Sequence, residues 1–333
     1  MINRQIILKA RPVGVPQPAH FELARTPVPE LARDELLVEN LYLSVDPAQR
    51  GYVNDENNYV APVPLGSVMR ALAVGRVVAS QNETFAVGEH LYGWFGWQDY
   101  CVCLPAAVLR RVDPHLTSLS AAAGLLGING LTAHLALHKI GQPKPGDTIV
   151  VTAGAGAVGS IVGQLAKIAG CRTVAVVGSD DKGTQCCREF GYDAFVNYHG
   201  PLAEGLAQAC PKGIDIFFDN VAGDIADLIV RRMNWFGRII QCGTMSIPVW
   251  VPVPQGPRIE REILTRRLRL EGFVIFDHIA SFDGVAVELA GLLKAGRLTI
   301  REDIETEIER APQALVDVYS GLNQGKKLIR LRG

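Results

Sequence analysis

The stretch from Asp147 to Ser160 reads DTIVVTAGAGAVGS, and it decides the fold of the middle of the chain. A short apolar run, Ile149 to Val151, precedes Gly154, Gly156 and Gly159, and an apolar pattern of helical period follows them. In the G-x-G-x-x-G spacing, the first glycine permits a tight turn, the second lets backbone approach a pyrophosphate, and the third packs helix against strand. The stretch therefore predicts a strand, a turn and a helix N-terminus that binds the phosphates of a dinucleotide.

Outward from this turn, residues 121–298 alternate between strand and helix patterns. Upstream, Ser120 is placed to cap a helix that runs through Leu126. We further predict strands at 148–152, 172–177, 194–197, 215–219, 238–242 and 268–275, and helices at 131–140, 157–169, 181–190, 201–209, 224–235 and 279–295. Such alternation implies a doubly wound parallel sheet with helices on both faces, and the proline-rich stretch from Ile247 to Pro257 is expected to be a loop over a site.

The two ends of the chain have a different pattern. Short β segments punctuated by prolines fill the first 120 residues, which suits an irregular antiparallel barrel. After Gly296 we predict a strand at 299–310, a helix at 312–322 and a strand at 327–332. We therefore expect residues 1–120 and 299–333 to form one β-barrel domain, with the nucleotide-binding domain, residues 121–298, inserted between them.

Composition limits the class of protein. A chain of 333 residues that is 48% hydrophobic and 20% charged is typical of a globular protein with two domains, and its net charge of −1 argues against a nucleic-acid partner. No apolar run is long enough to span a bilayer, and the N-terminus lacks the features of a signal peptide. We expect a cytoplasmic protein without membrane partners, in which the seven cysteines are reduced.

The choice of cofactor depends on the end of the second strand of the nucleotide-binding domain. An NAD enzyme normally has an acidic side chain there, whereas this strand ends in Gly178 and Ser179, with Lys182 nearby as a cation for a 2′-phosphate. Asp180 and Asp181 follow at the start of the next helix, where capping is the favoured role and the NAD-type acid is the alternative. The local chemistry favours NADPH.

Many motifs in the same order resemble one family, the zinc-independent medium-chain dehydrogenases/reductases of the prostaglandin reductase, alkenal double-bond reductase and curcumin reductase group. The resemblance covers nearly the whole chain. It is carried by Ser44-Val45-Asp46-Pro47, Val74-Gly75-Arg76-Val77-Val78, Gly130-Leu131-Thr132-Ala133, Ala155-Gly156-Ala157-Val158-Gly159-Ser160, Gly178-Ser179 with Lys182, Asn197-Tyr198, Phe218-Asp219-Asn220-Val221, Cys242-Gly243, Glu271-Gly272-Phe273 and Asn323-x-Gly325-Lys326.

This resemblance implies a GroES-like β-barrel catalytic domain plus a Rossmann domain, with NADPH in the cleft between them. It implies that Lys182 and Tyr198 hold the adenosine phosphate end of NADPH. The remaining residues that it assigns to the cofactor are those of the glycine turn (Gly154, Gly156, Ala157, Val158, Gly159), those beneath the ribose and nicotinamide (Asn220, Cys242, Gly243, Thr244) and those that flank the nicotinamide (Thr132, Phe273, Asn323). Tyr198 and Phe273 as core aromatics, and Asn220 as a turn residue, remain open alternatives.

We expect no metal. Zinc alcohol dehydrogenases polarise a carbonyl with Cys and His ligands, but the segment after Ser-Val-Asp reads Pro47-Ala48-Gln49. His90 lies in a predicted surface turn, and His134 and His138 are predicted to be solvent or helix-surface residues. Because hydrogen bonds can stabilise an enolate without a Lewis acid, the favoured reaction is hydride addition to the β-carbon of an α,β-unsaturated ketone or aldehyde.

Two positions depart from the family pattern. Many relatives carry Tyr where this chain has Ala48, and another Tyr where we align Thr265. Tyr52 and Tyr59 are therefore the candidate catalytic residues, and Trp94, Phe95, Trp97 and Trp250 are candidates for the wall of an apolar pocket for a small enone or enal. The alternatives are an NADPH-dependent quinone reductase and a non-catalytic NADPH-binding protein. The resemblance also implies a homodimer, formed through strands near Leu268 to Ile275.

Overall fold

The structure is a computed structural model that describes residues 1–55, 58–247 and 249–332. The chain divides into two compact units. The terminal unit contains Met1–Gly127 together with the C-terminal residues from Arg301, and the central unit is Ile128–Ile300.

The terminal unit is built mainly of strands. Its N-terminal part contains β1 (Ile2–Leu8), β2 (Phe21–Pro27), β3 (Leu36–Ser44), α1 (Gln49–Val53), β4 (Ala73–Ser80), β5 (His90–Gly93), β6 (Tyr100–Cys103), β7 (Val108–Val112) and α2 (Leu119–Ala123). Ser118, not the predicted Ser120, caps α2, because its side chain accepts a hydrogen bond from the Ala121 backbone N–H at 3.1 Å. The predictions missed α1 and β7, which are only five residues long each.

The central unit alternates strand and helix, as predicted. Its elements are α3 (Ile128–Ala136), a π-helical turn (Leu137–Gly141), β8 (Thr148–Thr152), α4 (Gly159–Ile168), β9 (Arg172–Val177), α5 (Asp180–Phe190), β10 (Ala194–Asn197), α6 (Leu202–Ala209), β11 (Ile214–Asp219), α7 (Gly223–Val230), β12 (Met233–Gln241), α8 (Glu260–Arg266), β13 (Arg269–Gly272) and α9 (Phe282–Lys294). All six strands are parallel, in the order β10-β9-β8-β11-β12-β13.

Burial explains why these segments are strands of a covered sheet. Every residue of β8 is buried, which is the pattern of a parallel strand with helices on both faces. One core cluster joins the sheet to α6 and α7 through Val150, Val174, Val176, Leu206, Phe217, Ile229 and Ile239. Each such side chain contributes about 1.5–3 kcal/mol when it is fully removed from water.

The chain then returns to the terminal unit through β14 (Glu302–Thr306), α10 (Ala311–Tyr319) and β15 (Lys326–Arg330). A sheet runs in the order β14-β15-β3-β4-β5-β7, with β6 paired to β3, and β1 and β2 form a separate antiparallel pair. The two chain ends therefore build one β-rich unit, and the segment that forms the parallel sheet is inserted between them in the sequence. This confirms the predicted fold class of a GroES-like β domain plus a Rossmann sheet.

Three predicted element boundaries in the central and terminal units were wrong. The helix predicted at 224–235 ends at Val230, since Met233 is 2% exposed and already pairs with Ile214 at the start of β12. The strand predicted at 268–275 is the shorter β13, and the strand predicted at 299–310 is the shorter β14. The helix α8 was not predicted. In each case long-range pairing or packing overrides the local pattern.

The loop predicted at 247–257 has no helix or strand in its described residues, 247 and 249–257. Pro248 lies outside the described residues. Among residues 1–55, 58–247 and 249–332, no helix has the length and apolar character needed to cross a bilayer.

Candidate functional site

The glycine turn between β8 and α4 is tightly packed. A Cβ on Gly154 would lie 2.6 Å from the Cβ of Ala175 on β9, and a Cβ on Gly159 would lie 2.3 Å from the carbonyl oxygen of Ala153. At Gly156 the corresponding distance to the Ala153 oxygen is 3.1 Å. A side chain therefore has no room at Gly154 against β9, nor at Gly159, where the start of α4 packs against the backbone at the end of β8. The contact at Gly159 is the helix–strand packing that the spacing predicts for the third glycine. Ala157 and Val158 complete the turn before α4 begins.

The carboxyl ends of three neighbouring strands are joined beside this turn. The buried carboxylate of Asp219 on β11 accepts hydrogen bonds from the Thr152 hydroxyl on β8, at 3.0 Å, and from Gln241 Nε2 on β12, at 3.2 Å. It also accepts from the backbone N–H groups of Val221 and Ala222, at 2.9 and 3.0 Å. Burial raises the pKa of Asp219, and these hydrogen bonds act in the opposite direction. The result is a fixed rim at the edge of the sheet where doubly wound folds bind ligands.

Asn220, Cys242, Gly243 and Thr244 lie on this rim. The side chain of Asn220 donates to the Thr152 carbonyl oxygen at 2.8 Å, and this hydrogen bond connects the end of β11 to the end of β8. A Cβ on Gly243 would lie 2.6 Å from the carbonyl oxygen of Asn220, so the two strand ends touch through backbone. Burial raises the pKa of Cys242 to about 12, which makes that thiol inert at neutral pH. These contacts fit the turn role that remained open for Asn220.

The end of β9 combines the groups predicted to hold a 2′-phosphate. A Cβ on Gly178 would lie 2.7 Å from the Tyr198 hydroxyl, so only glycine lets the tyrosine lie there. Ser179 caps α5, since its hydroxyl accepts from the Lys182 backbone N–H at 3.2 Å. Tyr198 is 38% exposed and is therefore not a core aromatic residue.

Asp180 and Asp181 lie in the first turn of α5, which is the capping position that the sequence favoured. The Asp180 carboxylate accepts a hydrogen bond from Asn197 Nδ2 at 3.0 Å, at the end of β10. Acidic groups in a first turn are stabilised by the helix dipole. Asp180 therefore has a hydrogen-bond partner within the protein, without any contact to the ribose of a cofactor.

The three residues predicted to flank the nicotinamide lie in different elements. Thr132 is buried on α3, and Phe273 follows β13, is 9% exposed and stacks on His278 with 5.0 Å between ring centroids. The core alternative for Phe273 therefore remains open. Asn323 belongs to the loop before β15, where its side chain donates to the Gly325 carbonyl oxygen at 2.8 Å.

The candidate catalytic residues Tyr52 and Tyr59 meet in the terminal unit. Their ring centroids are 6.4 Å apart in an edge-to-face arrangement, and the Trp94 ring is 6.1 Å from Tyr52. Tyr52 is 2% exposed, whereas Tyr59 is 51% exposed. Burial, followed by the neighbouring Tyr59, raises the pKa of Tyr52 well above 10.0, and Arg70 acts in the opposite direction. Tyr52 is thus a neutral hydroxyl donor at physiological pH.

The segment that carries Tyr52 is held by the C-terminal part of the chain. The ammonium of Lys326 on β15 donates to Ser44 Oγ at 2.7 Å, to the Val45 carbonyl oxygen at 3.0 Å and to Asp46 Oδ1 at 2.7 Å. In addition, the Tyr319 hydroxyl on α10 donates to the Pro47 carbonyl oxygen. Sequence reasoning missed both supporting residues, although Gly325-Lys326 is part of a motif that carried the resemblance.

The other candidate pocket aromatics differ in their surroundings. Phe95 and Trp97 are fully buried core residues, so they do not wall an open pocket. Trp250 is 43% exposed on the loop after β12. Trp94 lies beside Tyr52, with 6.1 Å between the ring centroids.

The histidines and cysteines also have structural partners. His138 is exposed, as predicted, but the prediction for His134 was wrong, because it is 9% exposed and its Nε2 lies 3.1 Å from Glu288 Oε2 on α9. His90, placed in a predicted surface turn, begins β5 and is half-buried. All seven cysteines are free thiols. Within the described ranges, which omit residues 56, 57, 248 and 333, no three His, Cys, Asp or Glu side chains are arranged to hold a metal ion.

A Rossmann-type sheet with a dinucleotide turn, inserted into a GroES-like β unit, defines a dehydrogenase/reductase of the medium-chain type. Residues 4–112 match the family described as the N-terminal domain of oxidoreductase, and residues 157–291 match the family described as zinc-binding dehydrogenase. The chain belongs to the medium-chain dehydrogenase/reductase family, in the group that contains the curcumin, alkenal and prostaglandin reductases.

Relatives match over almost their full length. The chain is 37% identical to the NADPH-dependent curcumin reductase of Escherichia coli K12, over 99% of this chain and 97% of the relative. It is 35% identical to the NADP⁺-dependent 2-alkenal reductase of Nicotiana tabacum, over 98% of this chain and 97% of the relative. The crystal structure of CurA from Vibrio vulnificus in complex with NADPH superimposes with a TM-score of 0.93, at 36% identity and 99% coverage of both chains.

Proposed function

We propose that the protein is an NADPH-dependent reductase of the C=C bond of α,β-unsaturated ketones or aldehydes. The observation that carries this proposal is the 35% identity, over 98% of the chain, to a 2-alkenal reductase. The substrate in that relative's name has a C=C bond conjugated to an aldehyde. The neighbouring phenols of Tyr52 and Tyr59 add a hydrogen-bond donor of the kind that a developing enolate requires.

The proposed NADPH site uses the glycine turn for the pyrophosphate and the end of β9 for the 2′-phosphate. Ser179, Lys182 and Tyr198 offer hydroxyl and ammonium groups there, and charge-assisted hydrogen bonds to phosphate are among the strongest in proteins. Asp180 and Asp181 lie in the first turn of α5, and Asp180 also accepts a hydrogen bond from Asn197, which supports a capping role for these acids over the NAD-type role. The relatives named for NADP or NADPH, and the CurA complex, support the same choice.

In the proposed reaction, bound NADPH supplies a hydride for the β-carbon of the substrate. The Tyr52 hydroxyl donates a hydrogen bond to the carbonyl oxygen, where negative charge develops, and stays protonated because its pKa is raised. Tyr59, which is partly exposed, links Tyr52 to solvent. A proton from a water molecule at the α-carbon then completes the saturation of the C=C bond, while Tyr52 keeps its own proton.

Tyr52 is placed to replace the tyrosine that relatives carry at position 48. Ala48 is the N-cap of α1, and Tyr52 lies four residues later, on the same helical face. Tyr52 can thus present a phenol on the same face of the helix, one turn after the position where relatives carry the tyrosine that Ala48 replaces. We propose Tyr52 as the residue that stabilises the enolate.

The overall reaction is tested by steady-state oxidation of NADPH with (E)-non-3-en-2-one and, in parallel, with 1,4-benzoquinone. We expect a higher kcat/KM for the enone and a product with a saturated C=C bond and an intact ketone. A clear preference for the quinone would replace this proposal with the quinone reductase alternative. Tight NADPH binding without turnover of any enone would support a non-catalytic role.

The role of Tyr52 is tested by Tyr52→Phe, with Tyr42→Phe on β3 as the matched control. Removing one oxyanion donor lowers kcat by about 100- to 1,000-fold in well-studied enzymes. For Tyr52→Phe we expect kcat to fall by at least about 100-fold. The dissociation constant of NADPH should not change. Equal kcat values for the two variants would exclude Tyr52 as the donor.

A homodimer also remains a proposal. The four residues of β13 are exposed, and β13 is the last strand of the parallel sheet, paired on one side with β12. Such an edge can pair with the same strand of a second copy. The molar mass in solution, compared with 36.0 kDa for one chain, tests the assembly.

A further inference from the structure

Tyr192 connects the end of α5 to the glycine turn. It follows Gly191, which ends α5 in a left-handed conformation, and it is 4% exposed. Its hydroxyl donates a hydrogen bond to the Gly159 carbonyl oxygen at 2.6 Å. Gly159 is the third glycine of the G-x-G-x-x-G spacing and the first residue of α4. A buried phenol from 33 residues further along the chain therefore contacts the backbone at the start of α4.

The ring of Tyr192 lies against α4 at a position where the helix has no side chain. A Cβ on Gly163 would lie 2.1 Å from Tyr192 Cζ and 2.5 Å from the hydroxyl oxygen, so this contact requires glycine. Gly159 is also close to the end of β8, since a Cβ on it would lie 2.3 Å from the Ala153 carbonyl oxygen. The first residue of α4 is therefore held by the Tyr192 hydroxyl as well as by backbone contact with Ala153.

The backbone around the phenol is itself fixed. The Tyr192 N–H donates to the Cys186 carbonyl oxygen on α5 at 3.2 Å, and the Asp193 N–H donates to the Thr173 carbonyl oxygen on β9 at 3.0 Å. The Asp193 carboxylate also pairs with Lys167 in the last turn of α4. Residues 192 and 193 thus link α4 to both α5 and β9, and the Tyr192 hydroxyl holds the first turn of α4 from a fixed point.

The first turn of α4 has backbone N–H groups that no side chain caps at the N-cap position. The N-cap residue is Val158, and it makes no side-chain cap hydrogen bond. N–H groups at the start of a helix lack partners within the helix, and together with the helix dipole they favour an anion such as a phosphate. Their direction depends on the orientation of the first turn. A hydroxyl that is bonded to the first carbonyl group of the helix fixes this orientation.

We propose that Tyr192 is a positioning residue for pyrophosphate binding, because its hydroxyl holds the first turn of α4 so that the N–H groups point at the diphosphate of a dinucleotide. This inference rests on the proposed function for the identity of the ligand, but it concerns the binding step and does not require turnover. Tyr192 acts through Gly159 and not by its own contact with the cofactor.

Tyr192→Phe tests the proposal, since it keeps the ring over Gly163 and removes only the hydroxyl. Titration calorimetry measures the dissociation constants of NADPH, NADH and adenosine 2′-monophosphate, which has the 2′-phosphate but no diphosphate. We expect NADPH and NADH to bind more weakly by the same factor, about 3- to 10-fold, which equals about 0.7–1.4 kcal/mol and is the range of one hydrogen bond. The affinity for adenosine 2′-monophosphate should not change. Lys182→Ala should instead weaken NADPH and adenosine 2′-monophosphate and leave NADH almost unchanged.

The matched control is Tyr100→Phe, because Tyr100 is 5% exposed and its hydroxyl donates to Glu39 in the terminal unit at 3.2 Å. This control should leave the ratio between the dissociation constants of NADPH and adenosine 2′-monophosphate unchanged. A second variant, Gly163→Ala, places a methyl group where the Tyr192 ring lies and should reproduce the selective loss. Its control is Gly284→Ala on α9, where a Cβ would come within 4 Å of no other segment of the described residues.

Equal losses for all three ligands in Tyr192→Phe would indicate a merely structural role and would overturn the assignment, as would unchanged affinities for NADPH and NADH. A selective loss for the two dinucleotides, in a protein that reduces no enone, would uphold Tyr192 and reject the proposed reaction. Normal enone reduction together with unchanged NADPH affinity in Tyr192→Phe would reject the role of Tyr192 alone. The two failures are therefore distinguishable.

Discussion

At the scale of single residues, we propose that cofactor selection depends on a few small groups at the end of β9. Gly178 is needed because the Tyr198 hydroxyl occupies the space of a Cβ, and Ser179 begins the helix that carries Lys182. The sequence has no acidic residue at the end of this strand, and the structure places Gly178, Ser179 and Tyr198 there in an arrangement that could accept a phosphate. Tyr198 is 38% exposed, so its hydroxyl is open to a ligand as that of a core aromatic would not be.

Lys182→Ala should weaken the binding of NADPH and leave that of NADH almost unchanged, because only NADPH has the 2′-phosphate. We expect about a 10-fold increase in the dissociation constant of NADPH, which equals about 1.4 kcal/mol. Fluorescence titration with each nucleotide measures both constants. Lys212→Ala, at an exposed turn, is the control, and equal losses for NADPH and NADH in Lys182→Ala would remove the 2′-phosphate assignment.

At the scale of elements, the short helix α1 is positioned by contacts far away in sequence. Lys326 on β15 satisfies all three of its N–H donors on the turn before α1, and Tyr319 on α10 binds the same turn. Burial lowers the pKa of Lys326, and Asp46 opposes this shift. A five-residue helix has little stability of its own, so these C-terminal contacts fix Tyr52.

Lys326→Met should lower the free energy of unfolding by about 3–5 kcal/mol, because the buried Asp46 carboxylate would lose its ion pair with Lys326. Urea unfolding measures the change. The double variant Lys326→Met/Asp46→Asn should recover part of the loss, since it removes that charge. Lys9→Met, which breaks an exposed pair with Glu22, should change the free energy by less than about 1 kcal/mol. Similar effects of Lys9→Met and Lys326→Met would contradict this account.

At the scale of the whole molecule, the buried thiols make stability depend on alkaline pH. Burial raises the pKa of Cys171 and Cys210 to about 11 and that of Cys186 to about 12, from 9.0. The folded pKa values lie above the unfolded value, so the folded state keeps protons that the unfolded state loses above pH 9. The contribution of these thiols is therefore complete below pH 9 and is lost as pH rises through 11–12.

We expect the free energy of unfolding, and with it the urea midpoint, to fall steadily between about pH 8.5 and 10.5; the free energy should fall by up to about 1.4 kcal/mol per thiol and pH unit. Cys186→Ala should make this fall shallower, since it removes one of the titrating thiols. Cys187→Ala, on the same helix but half-buried, should have a smaller effect on the slope. A midpoint that is constant or rises over this range would contradict the burial of the thiols.

The sequence by itself determined the fold class, and it supplied the prediction for the phosphate-binding end of the site. The glycine spacing, the strand-helix alternation and the small residues after β9 are local signals, because each concerns residues within one turn or one element. Where a local signal competed with distant pairing, it failed. The helix predicted at 224–235 ends at Val230, because Met233 already pairs with β11 as part of β12. The irregular pairing after Met233 leaves Trp235 and Phe236 exposed.

Only the tertiary structure decided which side chains meet. Nothing in the spacing of Tyr52 and Tyr59 reveals that their rings touch, that Arg70 covers one of them, or that Lys326, 280 residues from Asp46, holds the turn before both. His134 was misplaced for the same reason, since its partner Glu288 lies on another helix. Backbone hydrogen bonds and glycine conformations are local, whereas burial and charge pairing depend on segments that become neighbours only when the chain is folded.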